Sequence, residues 1–229
     1  MGFRIYSHQK TGKSIRGVLF DMDGVILDTE KLYLRFWREA AGFFGYEMTE
    51  QQALGMRSLN KEAGQAKLES YFGPGVSRAA LRDKRVELMD AYTEQNGVEV
   101  KPGVFQLLEY LRERKIPAAI TTSSPMSRVR RYLEPLGLWD QFDRLCSGHD
   151  VPCGKPAPDI YLYGAQAIEV PPDMCIAIED SYAGIVSASC AGCFPIMVPD
   201  LDEPDEKTEN LLYAKCDSLL DIISLLEQW

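Results

Sequence analysis

No stretch of the 229-residue chain comes near the roughly 18 consecutive apolar residues of a membrane-spanning helix. The opening segment, Met1 to Ser14, also lacks the hydrophobic core of a secretory signal, so the expected compartment is the cytoplasm and no membrane partner is expected. Basic excess is missing as well: the formal charge is −9. That argues against a nucleic-acid surface, and it means that an anionic ligand needs a locally positive pocket. A disulfide framework is absent too. The six cysteines (Cys146, Cys153, Cys175, Cys190, Cys193 and Cys216) are scattered through the second half, unlike a small secreted domain. Cys190-x-x-Cys193 has no second pair and no nearby histidine to complete a metal or redox site, and reads as buried, reduced thiols at a helix-to-strand junction. There is no internal repeat.

What remains is ordinary globular material, 45% hydrophobic and 26% charged, long enough for a sizeable core. Residues 1–15 are polar and without period, and read as a lead-in. Helical spacing of Leu32, Leu34, Phe36, Trp37, Ala40, Ala41 and Phe44 predicts a helix from Glu30 to about Gly45. Helical patterns continue through Ala53-Leu54, Ala63 to Phe72 and Ala79 to Tyr92, broken at Gly73-Pro74-Gly75, with no convincing strand before Gly97. This block, residues 30–98, is read as an inserted all-α domain.

From Pro102 onward, helix and strand alternate. Helices are expected over Gly103 to Arg114, Met126 to Leu136, Pro158 to Ile168, Ala183 to Ala191 and Leu219 to Leu226. Strands are expected over Ile116 to Thr121, Phe142 to Cys146, Cys175 to Ile178 and Phe194 to Val198. The acidic run Asp200 to Glu209 reads as a solvated loop. Together with Val18 to Phe20 the alternation implies right-handed crossovers and an α/β, Rossmann-like parallel sheet, formed by residues 16–29 and 99–229.

The apolar run Val18-Leu19-Phe20 leads straight into Asp21-Met22-Asp23-Gly24. Such a run is how a buried parallel strand delivers its last residues to the ligand crevice of an open α/β sheet. Two acids there suit a hard cation such as Mg²⁺, which prefers oxygen ligands. Asp and Gly also make surface turns, but the preceding strand is too apolar for a casual one. A carboxylate can attack a phosphoryl group that is held in line with its charge offset, which makes Asp21 the candidate nucleophile. Asp23 is then the candidate acid and base for the leaving oxygen and the hydrolytic water.

Three further clusters follow. Thr121-Thr122-Ser123-Ser124 ends a predicted strand, where hydroxyls and free N–H groups bind phosphate oxygens, although an N-cap for the helix near Pro125 fits these residues equally well. Gly154-Lys155-Pro156 holds one cationic head on a constrained backbone. Glu179-Asp180 closes another apolar strand, and two adjacent acids without a basic neighbour either share a cation or point apart.

Asp21-x-Asp23-Gly24-Val25 after an apolar strand resembles the first motif of the haloacid dehalogenase-like superfamily. Thr122, Lys155-Pro156-Ala157-Pro158 and Glu179-Asp180 are similar to its second, third and fourth motifs, in the expected order. The resemblance covers nearly all of the chain from about residue 16. It implies a Rossmann-like core with a helical cap, and a phosphoryl-transfer enzyme working through an aspartyl-phosphate. It implies Asp21, Asp23 and Lys155 as catalytic residues, Thr122, Ser123 and Lys155 on phosphate, and Mg²⁺ held by Asp21, Asp180, the carbonyl of Asp23 and Glu179, directly or through water.

Asp23 separates the chain from dehalogenases and phosphonate-cleaving members, which lack or replace the second acid. The closest likeness is to the phosphatase and β-phosphoglucomutase branch, through Asp23-Gly24-Val25-Ile26-x-Asp28-Thr29. Where the mutases carry a cap histidine, and a lysine and an asparagine after the second motif, this chain has Tyr33, Pro125 and Met126. The expectation is therefore a Mg²⁺-dependent phosphomonoester hydrolase acting on a small phosphometabolite, as a monomer or weak dimer. A phosphomutase is the alternative, and a non-catalytic phosphometabolite-binding protein a third reading. Glu30, Tyr33, Gly55 and Arg57 are the candidate substrate contacts, while Trp37 reads as core packing of the insert.

Overall fold

The structure, a computed structural model, describes residues 2–6, 14–57, 59 and 61–228. Its contacts divide into two compact units, Met1–Leu27 with Val100–Trp229, and Asp28–Glu99.

The first unit holds a seven-stranded sheet of order β1-β7-β6-β5-β2-β3-β4, formed by Phe3–Ile5 (β1), Gly17–Phe20 (β2), Ala118–Thr122 (β3), Arg144–Ser147 (β4), Cys175–Glu179 (β5), Phe194–Met197 (β6) and Ala214–Cys216 (β7). All pairings are parallel except that of β1 with β7. The central strand β2 is buried along its whole length, as its unbroken apolar run requires. Val104–Glu113 (α5), Met126–Leu133 (α6), Asp159–Ala167 (α7), Tyr182–Cys190 (α8), Glu206–Glu209 (α9) and Leu219–Leu226 (α10) complete the unit.

Register decides which residues meet. Leu19 lies opposite Ala119 on one side and Ala177 on the other, and all three pack with Tyr161 of α7 and Ala188 of α8 in one core cluster. Because side chains alternate along a strand, Asp21, Thr121 and Glu179, each two residues further on, belong to that same α7 and α8 side. Beyond Asp21 the chain turns back at Gly24, whose φ of 83° is one that side chains rarely adopt, and the amides of Ile26 and Leu27 both donate to the carbonyl of Met22.

The helical unit comprises Glu30–Phe43 (α1), Glu50–Leu54 (α2), Lys61–Phe72 (α3) and Arg78–Asn96 (α4), with α1 laid along α4. It has its own core of Leu34, Trp37, Ala41, Met48, Ala53, Met56, Leu68, Val76 and Leu81, so Trp37 is a packing residue. Thr49 opens α2 with a reciprocal capping box to Gln52. No helix among the described residues is long and apolar enough to cross a membrane.

Three local expectations differ from what is found. The lead-in contributes an edge strand, because Phe3–Ile5 pairs with β7 and the Tyr6 hydroxyl donates to Glu209 at 2.9 Å. The acidic run is not all loop: Asp205 caps the four-residue α9 by accepting from the Thr208 amide, and Asp200 pairs with Lys101 at 2.6 Å. Only one thiol of the Cys190 and Cys193 pair is buried, Cys190 being exposed.

Burial pushes the thiols of Cys146 up to about 11 and of Cys175 and Cys216 to about 12, and that of Cys193 higher still. Since the thiolate is the reactive form, a maleimide at pH 8 is expected to label the folded protein at the exposed Cys153 and Cys190 only, and all six cysteines after denaturation. Rapid native labelling at Cys175 or Cys193, read by peptide mass spectrometry, would contradict this packing.

Candidate active site

The ends of β2, β3 and β5 lie at one level because Phe20 is in register with both Ile120 and Ile178. Asp21, the first residue past β2, is tied to β5 by its amide, which donates to the Ile178 carbonyl at 2.9 Å. One carboxylate oxygen each from Asp21, Glu179 and Asp180 lie within 4.8 Å of one another, and all three residues are buried. From the loop before α7, Lys155 sends its ammonium to Asp21 Oδ1 and Glu179 Oε1, 2.5 Å from each. The Lys155–Pro156 peptide is cis.

Asp21, Glu179 and Asp180 gather three buried carboxyl groups, and Lys155 is ion-paired with two of them. Burial pushes the Asp21 carboxyl well above the usual carboxylate range, Lys155 pulls it back, and Glu179 and Asp23 add repulsion. For Lys155, burial alone would lower the pKa, but the carboxylates of Asp21 and Glu179 outweigh it, so the side chain stays an ammonium. A buried set of carboxylate oxygens gathered in this way fits a small hard cation.

The four acids are held differently. Glu179 is fully buried, and both its oxygens have partners: Oε1 accepts from Lys155 and from the Tyr161 hydroxyl at 2.7 Å, and Oε2 accepts from the Ser181 amide and hydroxyl at 3.3 and 3.1 Å. Asp23, half-buried on the turn, accepts at Oδ2 from the Ser124 hydroxyl at 2.9 Å. Thr122 is buried, its hydroxyl accepting from the Ser124 amide at 3.0 Å, while Ser123 is exposed.

Ser124 and Tyr161 are contacts that the sequence reading did not single out. Ser124 lay inside the hydroxyl cluster but beside the residue that matched the motif. Tyr161 carried only one signal, a lone hydroxyl on the otherwise apolar buried face Ile160, Tyr161, Gly164 and Ala165 of α7.

Within the helical unit the four substrate candidates have local partners. Arg57 Nε lies 2.5 Å from Glu30 Oε2, both side chains largely buried. The Arg85 guanidinium sits over the rings of Tyr33 and Trp37, at 4.7 and 5.0 Å. Gly55 closes α2 where a Cβ would come within 2.5 Å of the Tyr71 hydroxyl.

Residues 15–192 match the haloacid dehalogenase-like hydrolase family. The chain belongs to that family. As a member of the haloacid dehalogenase-like hydrolases it is an enzyme, and its relatives agree in kind. It is 33% identical over 198 residues to hexitol phosphatase A of Escherichia coli, covering 83% of this chain and 88% of the relative. It is 32% identical over 178 residues to a phosphorylated carbohydrates phosphatase of Thermotoga maritima, covering 78% of this chain and 82% of the relative. Among solved structures, that of CbbY from Rhodobacter sphaeroides in complex with phosphate superposes with a TM-score of 0.74 at 23% identity, covering 91% of this chain and 96% of that one. That likeness shows the shared haloacid dehalogenase-like fold.

Proposed function

We propose that the chain is a Mg²⁺-dependent phosphomonoester hydrolase of a small phosphorylated metabolite, working through an aspartyl-phosphate on Asp21. One observation carries the reading: a buried carboxylate at the end of the central strand, with an ammonium 2.5 Å away and a second strand-end acid, Asp180, within bonding reach of a shared cation. The named phosphatases among its relatives support the reaction class.

Lys155 fixes Asp21 Oδ1, so Oδ2 attacks phosphorus. The P–O bond to the leaving group breaks as Asp23 delivers a proton to that oxygen. Asp23 then takes a proton from water, the water attacks the acyl phosphate, and inorganic phosphate leaves with the Asp21 carboxylate restored. Thr122 and Ser123, with the N–H groups around them, take the phosphoryl oxygens. Lys155 offsets charge as it builds on those oxygens.

Asp21, Asp180 and the main-chain carbonyl of Asp23 would hold Mg²⁺, and Glu179, whose oxygens already serve Lys155, Tyr161 and Ser181, would join through water. Bound there, Mg²⁺ would supply Lewis-acid neutralisation of the phosphoryl group. The helical unit is assigned the choice of substrate, through Glu30, Tyr33, Gly55 and Arg57.

A panel of sugar, polyol and nucleoside monophosphates with phosphate detection tests this. Phosphate release from at least one class is expected, abolished by EDTA and restored by Mg²⁺. Full activity in EDTA would contradict the metal role. Isomerisation of β-glucose 1-phosphate without phosphate release would favour a mutase instead.

A further inference from the structure

Among the described residues Tyr161 heads the fully buried side chains by volume, yet it carries a hydroxyl that a phenylalanine in the same core would not have to satisfy. That hydroxyl donates to Glu179 Oε1 at 2.7 Å, the same oxygen that takes the Lys155 ammonium at 2.5 Å, and it is also hydrogen-bonded to the Thr121 side chain. The ring itself lies 5.0 Å from the ammonium, within cation–π range. Burial raises the Tyr161 pKa and Glu179 raises it further, so the hydroxyl stays a donor.

The surroundings are shaped for this contact. A Cβ on Gly184 of α8 would fall 1.8 Å from the Glu179 carboxylate, so the helix leaves space there that no side chain could share. On α7, one turn beyond Tyr161, a Cβ on Gly164 would lie 2.4 Å from Thr121 Cγ2, and its absence lets the helix press against the sheet. Both gaps bring Tyr161 and Glu179 together. With Ser181 holding Oε2, the Glu179 carboxylate is fixed in rotation as well as place.

We infer that Tyr161 is a positioning residue: its hydroxyl locks Glu179, and Glu179 with the Tyr161 ring aims the Lys155 ammonium at Asp21. The inference rests on the phosphohydrolase reading. A lysine is a point charge on a flexible four-carbon stem, so its catalytic value depends on what holds the head group still. Without the hydroxyl, Glu179 Oε1 keeps the ammonium as its one donor and can turn away with it from Asp21.

The test is a double-mutant cycle of Tyr161→Phe and Lys155→Met, with kcat, KM and thermal midpoint measured for each protein. Tyr161→Phe keeps the ring and removes one oxygen atom, so a folded protein is expected. Its kcat is expected to fall about tenfold or more with KM within twofold. In the Lys155→Met background, under single-turnover conditions with enzyme in excess, the same change is expected to cost less than twofold, since the hydroxyl then has no ammonium to aim.

A Tyr161→Phe variant within twofold of wild-type kcat, a loss confined to KM, or an equal loss in both backgrounds would each overturn the proposal and leave Tyr161 as core. If wild type hydrolyses no phosphomonoester, the functional reading fails instead. The midpoints then still decide the contact: shifts that simply add overturn the coupling of Tyr161 to Lys155, and shifts that do not add support it.

Discussion

Asp21→Asn is expected to abolish phosphate release, by at least about 10⁴-fold in kcat, with the fold kept. The amide is nearly isosteric with the carboxylate but is no nucleophile toward phosphorus, so the covalent route is closed. The fold survives because Asp21 is held by its main chain as well: its amide still donates to the Ile178 carbonyl, and Lys155 keeps Glu179 as an ion-pair partner. Removing one carboxylate from a crowded acidic cluster also relieves repulsion, since Glu179 and Asp23 both disfavour a second charge at Asp21. The thermal midpoint should therefore stay near that of wild type while turnover disappears. Activity above about a hundredth of wild type would assign the attack to another group.

Lys155→Met should be the second most damaging change, and it should differ in kind. The ammonium offsets charge on the Asp21 carboxylate and on the phosphoryl oxygens, and loss of a preorganised donor of this type costs about 3 kcal/mol, roughly a hundredfold or more in kcat. Stability falls as well, because Glu179 is wholly buried and would keep only Tyr161 and Ser181 as partners. Stranding one member of a buried ion pair typically costs about 3 kcal/mol. A loss of kcat and of thermal midpoint together is thus the signature of Lys155, against loss of kcat alone for Asp21. A twofold change in kcat would make Lys155 a structural counter-ion.

The frame of this site is legible in the residues. Runs such as Val18-Leu19-Phe20 and Cys175 to Ile178 cannot be surface segments, and acids at their ends can only emerge at one edge of a parallel sheet. The helical unit declares itself through the 3.6-residue spacing that buries Leu32, Leu34, Phe36 and Trp37. The three-residue strands β1 and β7 carry too few residues to show an alternation; β7 is held between β6 and β1, and β1 takes its ladder from β7 at the sheet edge.

The partners of Glu179 were beyond reach for a different reason. Lys155, Tyr161 and Ser181 come from a loop, a helix and a helix cap, and only the register of β2, β3 and β5 brings them to one carboxylate. Two adjacent acids read as a metal pair from sequence. In the structure both acids bring a carboxylate oxygen within 4.8 Å of Asp21, and Glu179 is in addition enclosed by four donors. The packing glycine Gly164 is equally silent in sequence, because what excludes a side chain there is Thr121, far along the chain, and Gly184 faces Glu179 only once the turn from β5 into α8 is folded.

Chemical trapping of the covalent state tests the central claim most directly. Enzyme quenched during turnover and reduced with borohydride converts an acyl phosphate to an alcohol, and the peptide containing residue 21 is then read by mass spectrometry. The account predicts homoserine at position 21, absent without substrate. Phosphate release with residue 21 always recovered as aspartate, or homoserine at another acid, would contradict it.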